Sequence, residues 1–206
     1  ATHHGCYDMS IYRSIPGAVI AVPRNEIELK DMMYSAMLYP GGPYIIRYPR
    51  GYGEGVEWKK HGFSRIKEGK GEKILAGKDI AVIAAGPVAN RAAEAALNMQ
   101  ETTGNCPSIY NIRYIKPLDT DMLAGICHSH SRIITVEDGT VIGGLYGAVS
   151  EFISSQEHPL PVRAVAIPDR YLSQGTQQEL KKECGLTTDE LERIFEEEFE
   201  KMSKKN

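Results

Sequence analysis

Two short segments carry residue types able to do chemistry. Near the start, Thr2-His3-His4-Gly5-Cys6-Tyr7-Asp8 places adjacent imidazoles in a polar turn. Imidazole titrates near neutrality, so such a side chain moves protons or hydrogen-bonds a polar substrate. Adjacent side chains diverge on any regular element, so one histidine at most enters a given site. The competing reading is a polar surface turn or the remnant of an affinity tag. The second segment is Arg47-Tyr48-Pro49-Arg50-Gly51, at the carboxyl end of an expected strand. Open α/β sheets bind ligands outside the carboxyl ends of their strands, and a guanidinium there grips phosphate through two parallel hydrogen bonds. Pro49 fixes the turn and Gly51 leaves room for close approach. The competing reading is a solvated arginine pair, or a salt bridge to another part of the protein.

Other motifs fail on context. Gly51-x-Gly53-x-Gly55 follows a strand but leads into Val56-Glu57-Trp58-Lys59-Lys60. No helix of apolar period follows, as a dinucleotide fingerprint requires. Gly71-Glu72-Lys73 lacks the spacing of a P-loop. Cys127-His128-Ser129-His130 sits at a helix end with no matching Cys/His pair elsewhere, so no metal is assigned. A cationic histidine there suits the helix dipole. Glu137-Asp138-Gly139 ends a strand and Gly143-Gly144 opens a helix, a crevice position with N–H groups suited to an anion or a neighbouring domain, the simpler reading being tight helix–sheet packing. No Ser-His-Asp arrangement is present.

The elements that must position these residues follow from periodicity. Ala18–Val22 is a continuously apolar run suited to a buried parallel strand. Asn25 and Glu28 form a capping pair ahead of a helix whose apolar face is Leu29, Met32, Met33, Ala36 and Met37. Tyr44–Tyr48 reads as the next strand. Glycines and lysines crowd the following stretch, which reads as a linker with a strand or two. Strands are expected at Ile80–Ala84, Ser108–Ile112, Arg132–Val136 and Val162–Ile167, with helices near Ala89–Met99, Thr120–Ser129 and Gly143–Ser154. This alternation implies right-handed crossovers and a mostly parallel sheet. A helix at Thr176–Glu183 follows. A last one starts at Thr187, with Glu190 completing a capping box and Leu191, Ile194, Phe195, Phe199 and Met202 forming its apolar stripe.

The chain has 206 residues, 42% hydrophobic and 25% charged, with a net charge of -3. That balance gives no electrostatic case for nucleic acid or an anionic membrane surface. No apolar run approaches the roughly 18 residues that span a bilayer. The four cysteines form no CxxC pair and read as reduced thiols, so a cytoplasmic location is expected. Opening at Ala1 directly on a polar turn and a βαβ unit, the chain reads as entered partway through a domain of a longer enzyme.

Taken together, Thr2-His3-His4-Gly5, Tyr12-Arg13-Ser14-Ile15-Pro16, Arg47-Tyr48-Pro49-Arg50-Gly51, Ile115-Lys116-Pro117-Leu118-Asp119, Thr135-Val136-Glu137-Asp138, Gly143-Gly144, Ile167-Pro168-Asp169 and Gln174-Gly175-Thr176 resemble, in order, the C-terminal part of the 1-deoxy-D-xylulose-5-phosphate synthases. These are transketolase-like thiamine-diphosphate enzymes, and the first and third segments are the more specific. The resemblance implies a three-layer α/β/α fold. Residues 1–57 would be the end of a pyrimidine-binding domain, 58–78 a linker and 79–206 a transketolase C-terminal domain. It implies a decarboxylating condensation of pyruvate with D-glyceraldehyde 3-phosphate, with His3 as the active-site histidine and Arg50 on the substrate phosphate. Arg47, Tyr12 and Arg13 would be supporting residues, and no role passes to His4. Thiamine diphosphate and Mg2+ would be held by an N-terminal part of the same enzyme. The fragment alone would be inactive, and the parent a homodimer. The rivals are another transketolase-like enzyme, a 2-oxoacid dehydrogenase β subunit, or a non-catalytic assembly module.

Overall fold

A computed structural model describes residues 4–204 of the chain. A short helix, α1 (Asp8–Arg13), precedes the first strand, β1 (Val19–Ala21). The sequence pattern does not announce α1, since six residues are too few to show a period. Helix α2 (Glu26–Met37) follows, with the Asn25 side chain accepting from the Glu28 N–H at 3.0 Å. Its orientation departs from the expectation, which holds for Met32 but not for Met33 or Met37. Glu28, Asp31, Met32 and Ser35 face inward, while Met33 and Met37 are 56% and 83% exposed. The reason is the irregular backbone of residues 55–66, which lies along the helix and brings N–H groups that need acceptors. Glu26 accepts from Gly55, Asp31 from Ser64 and Ser35 Oγ from Ile66, at 2.7, 3.0 and 2.8 Å.

The remaining elements are β2 (Tyr44–Ile46), β3 (Glu72–Leu75), β4 (Ile80–Ala84), α3 (Val88–Thr103), β5 (Ser108–Asn111), β6 (Tyr114–Lys116), α4 (Thr120–Ser129), β7 (Arg132–Thr140), α5 (Leu145–Ser154), β8 (Val162–Ile167), α6 (Gln177–Glu183) and α7 (Thr188–Ser203). They form two sheets. The larger has the order β3-β5-β4-β7-β8, parallel except for the antiparallel edge strand β3. The smaller has the order β2-β1-β6, with β1 and β2 parallel and β6 antiparallel. Strand β6 comes from the second half of the chain, so it joins the two halves through backbone hydrogen bonds.

The larger sheet is buried on both faces, which gives three layers. Ile80, Val82 and Ala84 of β4 pack with α3 and α7, including Ala92, Phe195 and Phe199. Ala81 and Ile83 face the other way, against Leu123 of α4 and Leu145 and Val149 of α5. Alternate side chains of one strand thus serve opposite layers. The expected stripe of α7 is the face it buries, although its cap differs. Thr187 makes no side-chain cap hydrogen bond, and Glu190 pairs with Arg193 instead. The capping box lies one helix earlier, between Thr176 and Glu179.

Two polar clusters pin this fold. Glu198 of α7 is buried against Arg132, Arg163 and Lys201, tying the helix to the starts of β7 and β8. His130, at the end of α4, is also buried and is no dipole-stabilised surface cation. Ser129 Oγ donates to the Gly125 carbonyl, so His130 Nδ1 donates to Ser129 Oγ at 2.9 Å. Ser108 Oγ accepts from Gly77 N–H, leaving its proton for His130 Nε2 at 2.9 Å. This chain of donors holds the neutral imidazole, and burial pulls its pKa down.

Two outcomes are expected. Replacing Glu198 by Ala leaves the arginines without their buried partner and lowers stability by about 3 kcal/mol in urea denaturation. As pH falls through about 6.5, the unfolded state takes up a proton at His130 that the folded state resists, so stability drops. In a His130→Gln variant, thermal melts from pH 7.5 to 5 will show a smaller acid loss than the wild type; an equal loss would exclude His130 as the source.

Candidate functional site

The carboxyl ends of β2, β7 and β8 open onto one cleft of about 460 Å³, roofed by α6. His4, Arg47, Arg50, Asp138 and Lys181 bring polar groups to it, while Ile167, Leu172 and Leu186 line its apolar part with the thiols of Cys6 and Cys184. This is the side of a parallel sheet on which loops, not the ladder, present backbone to a ligand.

Arg47 leaves the end of β2 and is held on three sides. Its Nε donates to Asp8 Oδ2 at 3.3 Å, and its terminal nitrogens donate to the Asp138 carboxylate and, at 3.1 Å, to the Asp138 carbonyl. Both flanking carboxylates favour its charged form and outweigh burial. Arg47 is therefore an internal tie between α1, β2 and β7, with its charge already balanced.

Beside Asp138, Glu137 is fully buried and accepts from the Leu145 and Tyr146 N–H groups, each at 2.8 Å. The anion at the Gly143-Gly144 helix start is thus the protein's own carboxylate. Burial pushes its pKa up to about 7 against the pull of the two N–H groups. Neighbouring glycines make the room: a Cβ at Gly144 would stand 2.2 Å from Glu137 Oε2, and one at Gly139 2.3 Å from Met9 Cε.

Arg50 differs from Arg47. It is exposed, lines the cleft, and makes no ion pair among the described residues. Only its backbone is tethered, the carbonyl accepting from Gln177 Nε2 at 2.5 Å. Gly51 follows with φ +126°, a conformation a side chain would strain. A guanidinium on a fixed backbone and without a counter-ion is suited to an incoming anion.

Lys181 completes the cationic lining. Sequence reasoning missed it, although it stands one turn beyond the flagged Gln174-Gly175-Thr176 segment. Its pKa is pulled down by burial and by Arg91. His3 lies outside the described residues. Tyr12 and Arg13 sit on α1 away from the cleft lining. Arg13 is a clasp, with Nε donating to the Gly143 carbonyl at 2.8 Å and its terminal nitrogens paired with Glu151 at 2.8 and 2.5 Å. Among the described residues no three His, Cys, Asp or Glu side chains converge on a metal position. No helix among them is long and apolar enough to cross a membrane.

Comparison with known proteins gives concordant matches. Residues 1–54 match the transketolase pyrimidine binding domain and residues 69–191 the transketolase C-terminal domain. The chain is 43% identical over 190 residues to the 1-deoxy-D-xylulose-5-phosphate synthase of Bacteroides thetaiotaomicron, covering 92% of this chain and 29% of that protein. It is 39% identical over 194 residues to the synthase of Phocaeicola vulgatus, covering 94% and 30%. The chain therefore spans about three-tenths of the length of these curated relatives. Among solved structures, a split gene transketolase described as an inactive beta4 tetramer superposes with a TM-score of 0.80 at 26% identity, over 95% of this chain and 62% of that one. On the extent of the C-terminal domain match, the chain belongs to the transketolase family.

Proposed function

We propose that the chain serves as the C-terminal part of a 1-deoxy-D-xylulose-5-phosphate synthase, which condenses pyruvate with D-glyceraldehyde 3-phosphate and releases CO2. The product is a precursor of isoprenoids, thiamine and pyridoxal. The synthase relatives support this reading, and one observation carries it: Arg50 faces the cleft without an ion-pair partner while Arg47, three residues earlier, is balanced by Asp8 and Asp138.

In this reading Arg50 holds the aldehyde's phosphate and so fixes the position of its carbonyl, removing orientational freedom before bond formation. His3, by its place in the Thr-His-His-Gly segment, hydrogen-bonds the reacting oxygens. Arg47 supports the loop that carries Arg50, and Arg13 holds α1 against α5. Thiamine diphosphate supplies the carbanion chemistry. This chain's own share of the work, in this reading, is to hold the acceptor substrate through Arg50 and to bring His3 to the reacting oxygens. The diphosphate and Mg2+ fall to an N-terminal part of the enzyme.

A 2-oxoacid dehydrogenase β subunit would have no substrate phosphate for Arg50 to hold. The other reading is a role in assembly. That role would cover exposed apolar side chains such as Ile11, Met37 and Ile142, which are 62%, 83% and 56% exposed. The covering surface would be the N-terminal part of the enzyme or a second copy in a homodimer.

Supplied with the N-terminal part of a synthase relative, the chain is expected to restore release of CO2 from pyruvate in the presence of D-glyceraldehyde 3-phosphate; alone it will be inactive. In that assembly Arg50→Ala will lower kcat/KM for the phosphorylated aldehyde by about tenfold to a hundredfold. Turnover of unphosphorylated D-glyceraldehyde will change little. An equal loss with both aldehydes would sink the assignment of Arg50 to the phosphate.

A further inference from the structure

Beside the cleft lies a second hollow of about 680 Å³ between α3, α6 and the start of α7. Gln177 and Lys181 belong to both cavities, while Arg91 and Lys182 line only the hollow. Arg91 and Lys181 are both partly buried, and neither makes a hydrogen bond through its side chain or an ion pair among the described residues. Like charges brought together out of bulk water repel unless an anion lies between them.

Each nearby acid has another partner, although those of Glu54 and Glu94 are neutral. Asp138 holds Arg47, Glu54 accepts from Asn90 at 3.2 Å, Glu190 pairs with Arg193 at 2.8 Å, and Glu94 accepts from Thr188 Oγ1 at 3.0 Å. Asp189, exposed in the first turn of α7, is the remaining carboxylate on the hollow's wall. The pull on the Lys181 pKa agrees with this arrangement, since burial and Arg91 lower it while Asp138 and Glu54 only partly compensate. Thr187 leaves the N–H groups at the start of α7 without a side-chain acceptor, which adds donors on the same wall.

We propose that Arg91 and Lys181 bind a phosphate dianion between them, free or carried on a small molecule, in the hollow adjoining the cleft. This site is separate from the one assigned to Arg50, which does not line the hollow. It draws on helices α3 and α6, so its occupant fastens α6 to the body of the larger sheet.

The test is an NMR titration of the 15N-labelled chain with inorganic phosphate, repeated with glycerol 3-phosphate as the carried form. Shifts are expected around residues 88–92 and 177–188. Arg91→Met and Lys181→Met should each weaken that binding by about tenfold. Lys181→Arg should retain it, which separates a lost charge from a disturbed α6. Lys60→Met, a like loss of charge at a side chain 84% exposed and outside the hollow, should change nothing. Equal weakening by Lys60→Met would overturn the site in favour of diffuse attraction, as would a wild-type chain whose hollow does not respond to either probe. If Arg50→Ala abolishes every phosphate response, the hollow is no site and the functional reading of Arg50 stands. If the Arg91 and Lys181 variants lose binding while Arg50→Ala changes nothing, the hollow stands as a site independent of Arg50.

Discussion

The clasp of Arg47 between Asp8 and Asp138 is the interaction on which the cleft depends. It fixes the end of β2 against the start of α1 and against β7. A guanidinium this buried must be matched in charge and in hydrogen bonds, or its desolvation would expel it. With the match in place, the three residues that follow are carried out at a defined angle, and Arg50 emerges over the cleft. Gln177 holds the backbone of Arg50 through its carbonyl. Two elements far apart in sequence thus hold one loop, while its side chain stays available.

A division of labour among charges runs through the molecule. Arg13, Arg47, Arg113, Arg132 and Arg163 are all paired with carboxylates and act as internal ties. Glu137 answers a helix start and Glu198 a trio of cations. Against that background the cations around the cleft and hollow are conspicuous for what they lack. Residue type alone does not separate the two groups, since Arg47 and Arg50 stand in one short motif and do different work.

Most of the larger sheet was legible from the sequence because its strands are continuous apolar runs flanked by helices of clear period. The buried face of α7 and the ends of α4 were legible for the same reason. Helix α2 was legible at Met32 but not at Met33 or Met37, because the rule that apolar residues face inward assumes ordinary core on the inner side. Here that side meets a strap of irregular backbone, and the acceptors Asp31 and Ser35 are more valuable there than Met33 or Met37. The Thr187 cap was misassigned because Thr-x-x-Glu also occurs at Thr176, and only the fold decides which carboxylate an arginine takes. The place of Arg50 beyond the carboxyl end of a strand was legible from its motif. Lys181 was not, since a lysine on a short polar helix looks like any solvated surface residue until the fold turns it into a cavity.

The pairing of β1 with β6 has a consequence for how the molecule comes into being. Residues 18–46 supply only two strands of the smaller sheet, and the third arrives some seventy residues later. During synthesis the β1 edge that β6 covers therefore stays open until Lys116 has left the ribosome. Non-local pairing of this kind slows folding and exposes strand edges while it is pending. The two halves are in that sense one kinetic unit, and a cut between them would orphan an edge in each.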